Sequence, residues 1–218
     1  MEIIGGHTEV SPAVNQVVIS VTALGKIAKE KLVHPGKAQV GDDILVTKTA
    51  GLEGTAIIAM DREDILARYF SRDFIDRASR FIEEISVVKE GLIAGKFGAH
   101  AMHDATEGGI LGALWEMSKA MNKGFEVDIN KIPIAKETRK ICKIFDIDPL
   151  RLISSGSMII VTPDGEQLLK LLSNAGVSAT IIGKVVGGTT PLVIYDGEKH
   201  VLEPPESDEL YKAINYRE

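Results

Sequence analysis

Apolar residues along this chain recur in two periods, and the alternation between them predicts a layered protein. Glu2-Ile3-Ile4 reads as the end of a strand and Gly5-Gly6-His7-Thr8 as a tight turn. Asn15 to Leu24 carries the β-branched run Val17-Val18-Ile19-Ser20-Val21-Thr22, which predicts a second strand. Lys26 to Gly41, with Pro35-Gly36 and many polar residues, has the composition of a linker. Ile44-Leu45-Val46-Thr47 predicts a strand, followed by a glycine loop from Thr49 to Thr55. Ala56 to Met60 suits helix or strand, and Asp61 to Phe70 has helical spacing. Ser71 to Gly91 reads as one helix whose apolar stripe is Phe74, Ala78, Phe81, Ile85 and Val88.

Ala99 to His103 is short and strand-like, and Ile110 to Met121 is helical. Phe125-Glu126-Val127-Asp128-Ile129 alternates apolar with acidic residues, the pattern of a half-exposed strand. A helix from Ala135 to Phe145 stops at the turn Asp146 to Pro149, and Met158 to Val161 is again a strand. Gly165 to Ala175 predicts a helix closed by Gly176. Ala179 to Lys184 is the next strand, and Leu192 to Tyr195 enters a hairpin through Asp196-Gly197. Strands alternating with helices predict an α+β layered fold, a mixed sheet flanked by helices. The opening two strands cannot cover both of their own faces. They are therefore expected to belong to a larger domain preceding residue 41.

Composition narrows the function. The 218 residues are 44% hydrophobic and 26% charged, with a net charge of -6. Lys and Arg are spread along the chain, so there is no electrostatic reason to expect nucleic acid or an anionic membrane as partner. Cys142 is the one cysteine, which excludes an intrachain disulfide and a multi-cysteine zinc site. No apolar run approaches the roughly 20 residues of a membrane span. A cytoplasmic location is expected.

Four small-residue loops could carry chemistry. The sharpest is His103-Asp104-Ala105-Thr106-Glu107-Gly108-Gly109, between a strand and a helix. A helix start exposes unpaired N–H groups that attract phosphate or carboxylate, and two glycines leave room for an anion. The same spacing also suits a cap, with Asp104 as N-cap and Glu107 three residues on, and by spacing alone the cap is favoured. Gly5-Gly6-His7-Thr8, Ser154-Ser155-Gly156-Ser157 and Thr49 to Thr55 read first as turns and connections. No Gly-Lys-Ser/Thr follows the last, and no dinucleotide glycine pattern is present. His100 and His103 should face opposite sides of a strand, which argues against a shared metal. Cys142, beside Ile141 and followed by Ile144 and Phe145, reads as packing.

Four segments in order carry a resemblance: Gly5-Gly6-His7-Thr8, Gly41-Asp42-Asp43-Ile44-Leu45-Val46-Thr47 with its loop, His103 to Gly109, and Asp148-Pro149-Leu150 through Ser155-Gly156. They resemble the superfamily of aminoimidazole ribonucleotide (AIR) synthetase, formylglycinamidine ribonucleotide synthetase, the hydrogenase maturation dehydratase, selenophosphate synthetase and thiamine monophosphate kinase. The resemblance implies two domains, with residues 1–40 a remnant of the N-terminal ATP-binding domain plus linker and 41–218 the C-terminal domain. It implies ATP and Mg2+ as cofactors, with most Mg2+ ligands in the other domain, and activation of an amide or carbonyl oxygen by phosphoryl transfer. By the same resemblance Gly5, Gly6, His7 and Thr8 would lie near the nucleotide, and Asp104, Thr106, Gly108 and Gly109 at the anion-facing helix start. Implied partners are a nucleotide, an unknown small-molecule or protein acceptor, and a second copy of the chain as a homodimer.

The sequence departs from that pattern in two places. The hydrogenase maturation branch usually has Asp at the position of His7 and ends in a reactive cysteine, whereas this chain ends Asn215-Tyr216-Arg217-Glu218. The loop Gly51-Leu52-Glu53-Gly54-Thr55 still resembles that branch more than AIR synthetase itself. The alternative function is a non-catalytic binding or assembly module without the ATP-binding half.

Overall fold

The computed structural model describes residues 2–217. Its centre is formed by the most apolar strands. β1 (Asp43–Thr47) and β4 (Met158–Thr162) pair antiparallel with Leu45 opposite Ile160, and every residue of β4 is buried. β2 (Ala101–Asp104) flanks β4, while β5 (Ala179–Val186) flanks β1 and is followed outward by β3 (Gly124–Asp128), β6 (Pro191–Tyr195) and β7 (Glu198–Val201). The order β2-β4-β1-β5-β3-β6-β7 is antiparallel except for the parallel pair β3–β6, so the sheet is mixed as predicted. The β6–β7 turn is the predicted one, Asp196-Gly197, with φ of 49° and 82° matching the twist of a tight hairpin.

Alternation along these strands sets up two apolar faces. Ile44, Val46, Ala101, Ile159 and Val161 pack against helix α5 (Gly109–Met121). Leu45 and Ile160 face the opposite way, against α4 (Val88–Phe97) and α7 (Gly165–Asn174). A separate helical cluster contains α1 (Leu52–Asp61), α2 (Glu63–Leu66), α3 (Arg72–Ser79), α6 (Lys136–Phe145) and α8 (Leu210–Ile214), packed around Ile58, Phe74, Ile141 and Phe145.

Four predicted elements differ. Asn15 to Leu24 is not a strand; its residues are unpaired, and Val17, Ile19 and Val21 are more than four-fifths exposed. β-propensity measures how well a side chain packs on a sheet, and here no neighbouring strand completes the ladder. Neither Glu2-Ile3-Ile4 nor Gly5 to Thr8 forms the strand end or turn expected. The helix expected over Ser71 to Gly91 breaks into α3, a 3-10 stretch at Arg80–Glu84, and α4. At the break the carbonyls of Glu84 and Ser86 accept from Lys48 Nζ, at 2.8 and 2.7 Å, instead of continuing a helical ladder. The same ammonium lies 2.9 Å from Glu90, which is 1% exposed. Phe74 and Ala78 keep their place in the core, and Val88 turns out to solvent.

Candidate functional site

β4 runs antiparallel to both β1 and β2, so the ends of β1 and β2 and the start of β4 lie at one edge of the sheet. Each continues into one of the small-residue loops, and those loops bond to one another. Gly51 N–H donates to Ser154 Oγ at 2.7 Å, and Ser157 Oγ donates to the Thr49 carbonyl at 2.7 Å. Ala105 N–H donates to the Ser157 carbonyl at 2.9 Å and Ser154 N–H to the Thr106 carbonyl at 3.3 Å. Loops more than 100 residues apart in some pairs thus form one cluster. The Ser154 hydroxyl donates to the Leu152 carbonyl, so both buried serine hydroxyls are spent inside the cluster and only Ser155 is half exposed. Residues 52–55, read as loop, form the first turn of α1 behind Gly51, whose φ of 71° makes the corner.

The start of α5 is capped differently from expectation. Asp104 is the last residue of β2 and exposed, so it is not the N-cap, and no capping box with Glu107 forms. The N-cap is Gly108, and its N–H donates to Asp208 Oδ2 at 2.7 Å. Asp208, 5% exposed, also accepts from Leu210 N–H at 2.8 Å and Ile153 N–H at 3.2 Å. An anionic group does sit at this helix start, as the dipole favours, but it is the chain's own carboxylate. Gly109 N–H donates to the Thr106 carbonyl and Leu111 N–H to the Leu150 carbonyl. Both glycines have positive φ, 76° and 64°. A Cβ on Gly109 would lie 2.5 Å from the Leu150 carbonyl oxygen, so this glycine admits neighbouring backbone rather than a ligand.

The side chains of Asp104, Thr106 and Glu107 face solvent on the rim of the cluster. His103 Nε2 lies 2.8 Å from Glu116 on α5, and Glu107 accepts from the Tyr211 hydroxyl at 3.2 Å. That hydrogen bond to a carboxylate raises the Tyr211 phenol above its ordinary pKa. Two carboxylates and a hydroxyl are hard oxygen donors of the kind Mg2+ takes, and a metal carrying phosphate is the form in which an acidic rim can hold an anion. Among the described residues no group of three or more His, Cys, Asp or Glu is close enough to hold a metal alone.

Gly5, Gly6, His7 and Thr8 are exposed, and His7 lies 3.9 Å from Glu9 and bonds to none of the three loops. A Cβ on either glycine would meet nothing within 4 Å. His103, in β2, and His100, just before it, point to opposite sides of the sheet as expected, with His100 pairing to Asp42 and His103 to Glu116.

Cys142 is packing, as its spacing implies: 2% exposed, with burial pushing its thiol up from 9.0 to about 12. Below pH 9 folded and unfolded chains both keep the thiol proton. Between pH 9 and about 12 only the unfolded chain releases it, so stability should fall with rising pH by about 1.4 kcal/mol per unit from this group. Denaturant titrations from pH 8 to 11 should show a shallower decline in Cys142→Ala, and thiol reagents should modify Cys142 only on unfolding.

Asp208 escaped sequence reading. Its local signal, Ser207-Asp208 before a short helix, resembles any turn carboxylate, and nothing in it points to Gly108, 100 residues away.

Residues 39–196 match the family described as AIR synthase related protein, C-terminal domain. A putative hydrogenase expression/formation protein of Methanocaldococcus jannaschii is 32% identical over 83% of this chain and 53% of its own length. The carbamoyl dehydratase HypE of Escherichia coli K12 is 26% identical over 95% of this chain and 61% of its own length. A crystal structure of HypE in complex with ATP has the same fold, with a TM-score of 0.63 at 20% identity over 85% of this chain and 57% of that one. The chain spans about half the length of the curated relatives it matches. No helix among the described residues is long and apolar enough to cross a membrane.

Proposed function

This chain belongs to the AIR synthase related family by its C-terminal domain, and from that premise we propose that it is part of an ATP-dependent enzyme that activates an amide or carbonyl oxygen by phosphoryl transfer. Residues 41–218 are the C-terminal domain of that enzyme, and residues 1–40 are the end of its ATP-binding domain with the linker. The observation that carries the reading is the convergence of three small-residue loops at one sheet edge, with Asp104, Thr106 and Glu107 exposed on its rim. One of the structures that share this fold is HypE in complex with ATP.

In this reading the buried part of the cluster is scaffold and the rim is the working surface. Phosphoryl transfer requires clamped phosphates and neutralised charge more than a protein nucleophile, which suits a site whose buried serine hydroxyls, Ser154 and Ser157, are already bonded within the cluster. Mg2+, which supplies that neutralisation when bound with the nucleotide, would be met by Asp104, Thr106 and Glu107. Gly108 and Gly109 hold those side chains in place by fixing the corner into α5, and the acceptor is a small molecule or a protein group.

Calorimetric titration of the 218-residue chain with Mg-ATP tests the reading. Saturable binding is expected, weakened roughly tenfold by Asp104→Asn or Thr106→Ala. Both residues are exposed, so thermal stability should shift by no more than about 0.5 kcal/mol. Equal affinity in wild type and both variants would refute the assignment.

A further inference from the structure

A second concavity shares no lining residue with the loop cluster and does not depend on the proposed function. It is a cavity of about 850 Å3 between α4, the start of β2 and the segment from Ile27 to Lys37. That volume lies in the range of small-ligand sites. Gly91 and Gly95, one turn apart on α4, present bare backbone to it; a Cβ on Gly95 would have only Met102 Cε near it, at 3.8 Å. Leu92 and Leu32 line the same space while 58% and 42% exposed, so apolar surface remains uncovered there.

One built polar group faces this apolar surface. Asp42, 4% exposed, holds His100 Nδ1 at 2.7 Å, and the same carboxylate oxygen accepts the Gln39 N–H at 2.8 Å. A buried carboxylate on Nδ1 fixes the ring and makes Nδ1 the donor, leaving Nε2 without a partner among the described residues in a ring that lines the cavity. Lys31, Lys37 and Lys96 surround it against the single acid Glu30. Lys37 donates to the Leu32 carbonyl, while Lys31 and Lys96 have no acidic partner among the described residues. This cavity therefore carries a positive rim in a chain of net charge -6.

We propose that this cavity binds a small organic anion with a flat apolar body, an aromatic carboxylate, sulfonate or phosphate. The body lies along the Gly91–Gly95 strip against Met102, and the anionic end meets the ammonium groups of Lys31 and Lys96, clear of the His100 Nε2 lone pair. A bare inorganic anion would leave the apolar walls uncovered, and a neutral aromatic would leave the lysines uncompensated.

The probe is 8-anilinonaphthalene-1-sulfonate, titrated into the full 218-residue chain and followed by methionine-methyl NMR. One saturable site should move the Met102 methyl and leave Met60 and Met117 in place. Gly95→Leu, which fills the cavity without crowding the core, and the double change Lys31→Glu/Lys96→Glu should each weaken binding roughly tenfold. The neutral analogue N-phenyl-1-naphthylamine should bind at least about tenfold more weakly than the sulfonate. An unmoved Met102 methyl would overturn the proposal, including the case in which the dye settles on the exposed apolar residues between 2 and 24. So would unchanged affinity in the lysine variant, which alters only surface residues and keeps the test valid if Gly95→Leu fails to fold. Equal affinity for the neutral analogue would overturn the choice of an anion.

Discussion

Gly109→Ala should lower stability by about 3–5 kcal/mol, a fall in Tm of roughly 10 °C for a chain of this size. Two costs combine. Gly109 has a φ of 64°, which an L side chain adopts at roughly 1–2 kcal/mol. Its new Cβ would also lie 2.5 Å from the Leu150 carbonyl oxygen and 2.8 Å from that of Leu152. Those are backbone atoms and cannot swing aside, so the loop before Ser154 must move and the cluster with it. Gly98→Ala isolates the first cost, since Gly98 has a φ of 96° and open space around it. It should lose only about 1 kcal/mol. Thermal denaturation of the pair checks the account, and equal losses would mean that close approach at Gly109 contributes nothing.

Asp208→Ala should cost about 3 kcal/mol, because three buried or partly buried N–H groups lose their acceptor together. The loss is local as well as global. Hydrogen exchange at Gly108, Ile153 and Leu210 should quicken more than at Leu45 or Ile160 in the sheet centre, which keep their ladder bonds. Asp208→Asn keeps one acceptor oxygen, turns an NH2 toward backbone donors and removes the negative charge at the helix start, so it should fall between wild type and Ala. If Asp208→Ala were as stable as wild type, the carboxylate would not be the cap of α5.

Most of the sheet was legible in the sequence because its signals are local. Phe125 and Val127 alternate with Glu126 and Asp128, and in the structure the first two are buried while the second two are half exposed. Asp196-Gly197 named its own turn, and Gly176 its helix end, with φ of 75°. Failures came where a local signal needed a distant partner. The run Val17 to Thr22 has strand composition and no strand beside it. The stripe from Phe74 to Val88 has helical spacing, yet Lys48, from the end of β1, claims the carbonyls at its middle.

The candidate site divides in the same way. Three of the four small-residue loops were recognisable as glycine and serine clusters, but their mutual bonding depends on β4 running antiparallel between its neighbours, which no single segment encodes. Asp104 and Glu107 have the spacing of a capping box, and it fails because Asp208 occupies the helix start from the far end of the chain. Gly5 to Thr8 joined the other motifs by resemblance alone, and here they bond to none of the three loops.

The account rests on the rim of the loop cluster being the nucleotide-facing surface, and amide NMR during a Mg-ATP titration locates that surface residue by residue. The predicted result is a set of saturable shifts at Asp104, Thr106, Glu107 and Ser155 that are diminished in Thr106→Ala. No shift at these four up to about 10 mM nucleotide, or shifts confined to other parts of the chain, would contradict it.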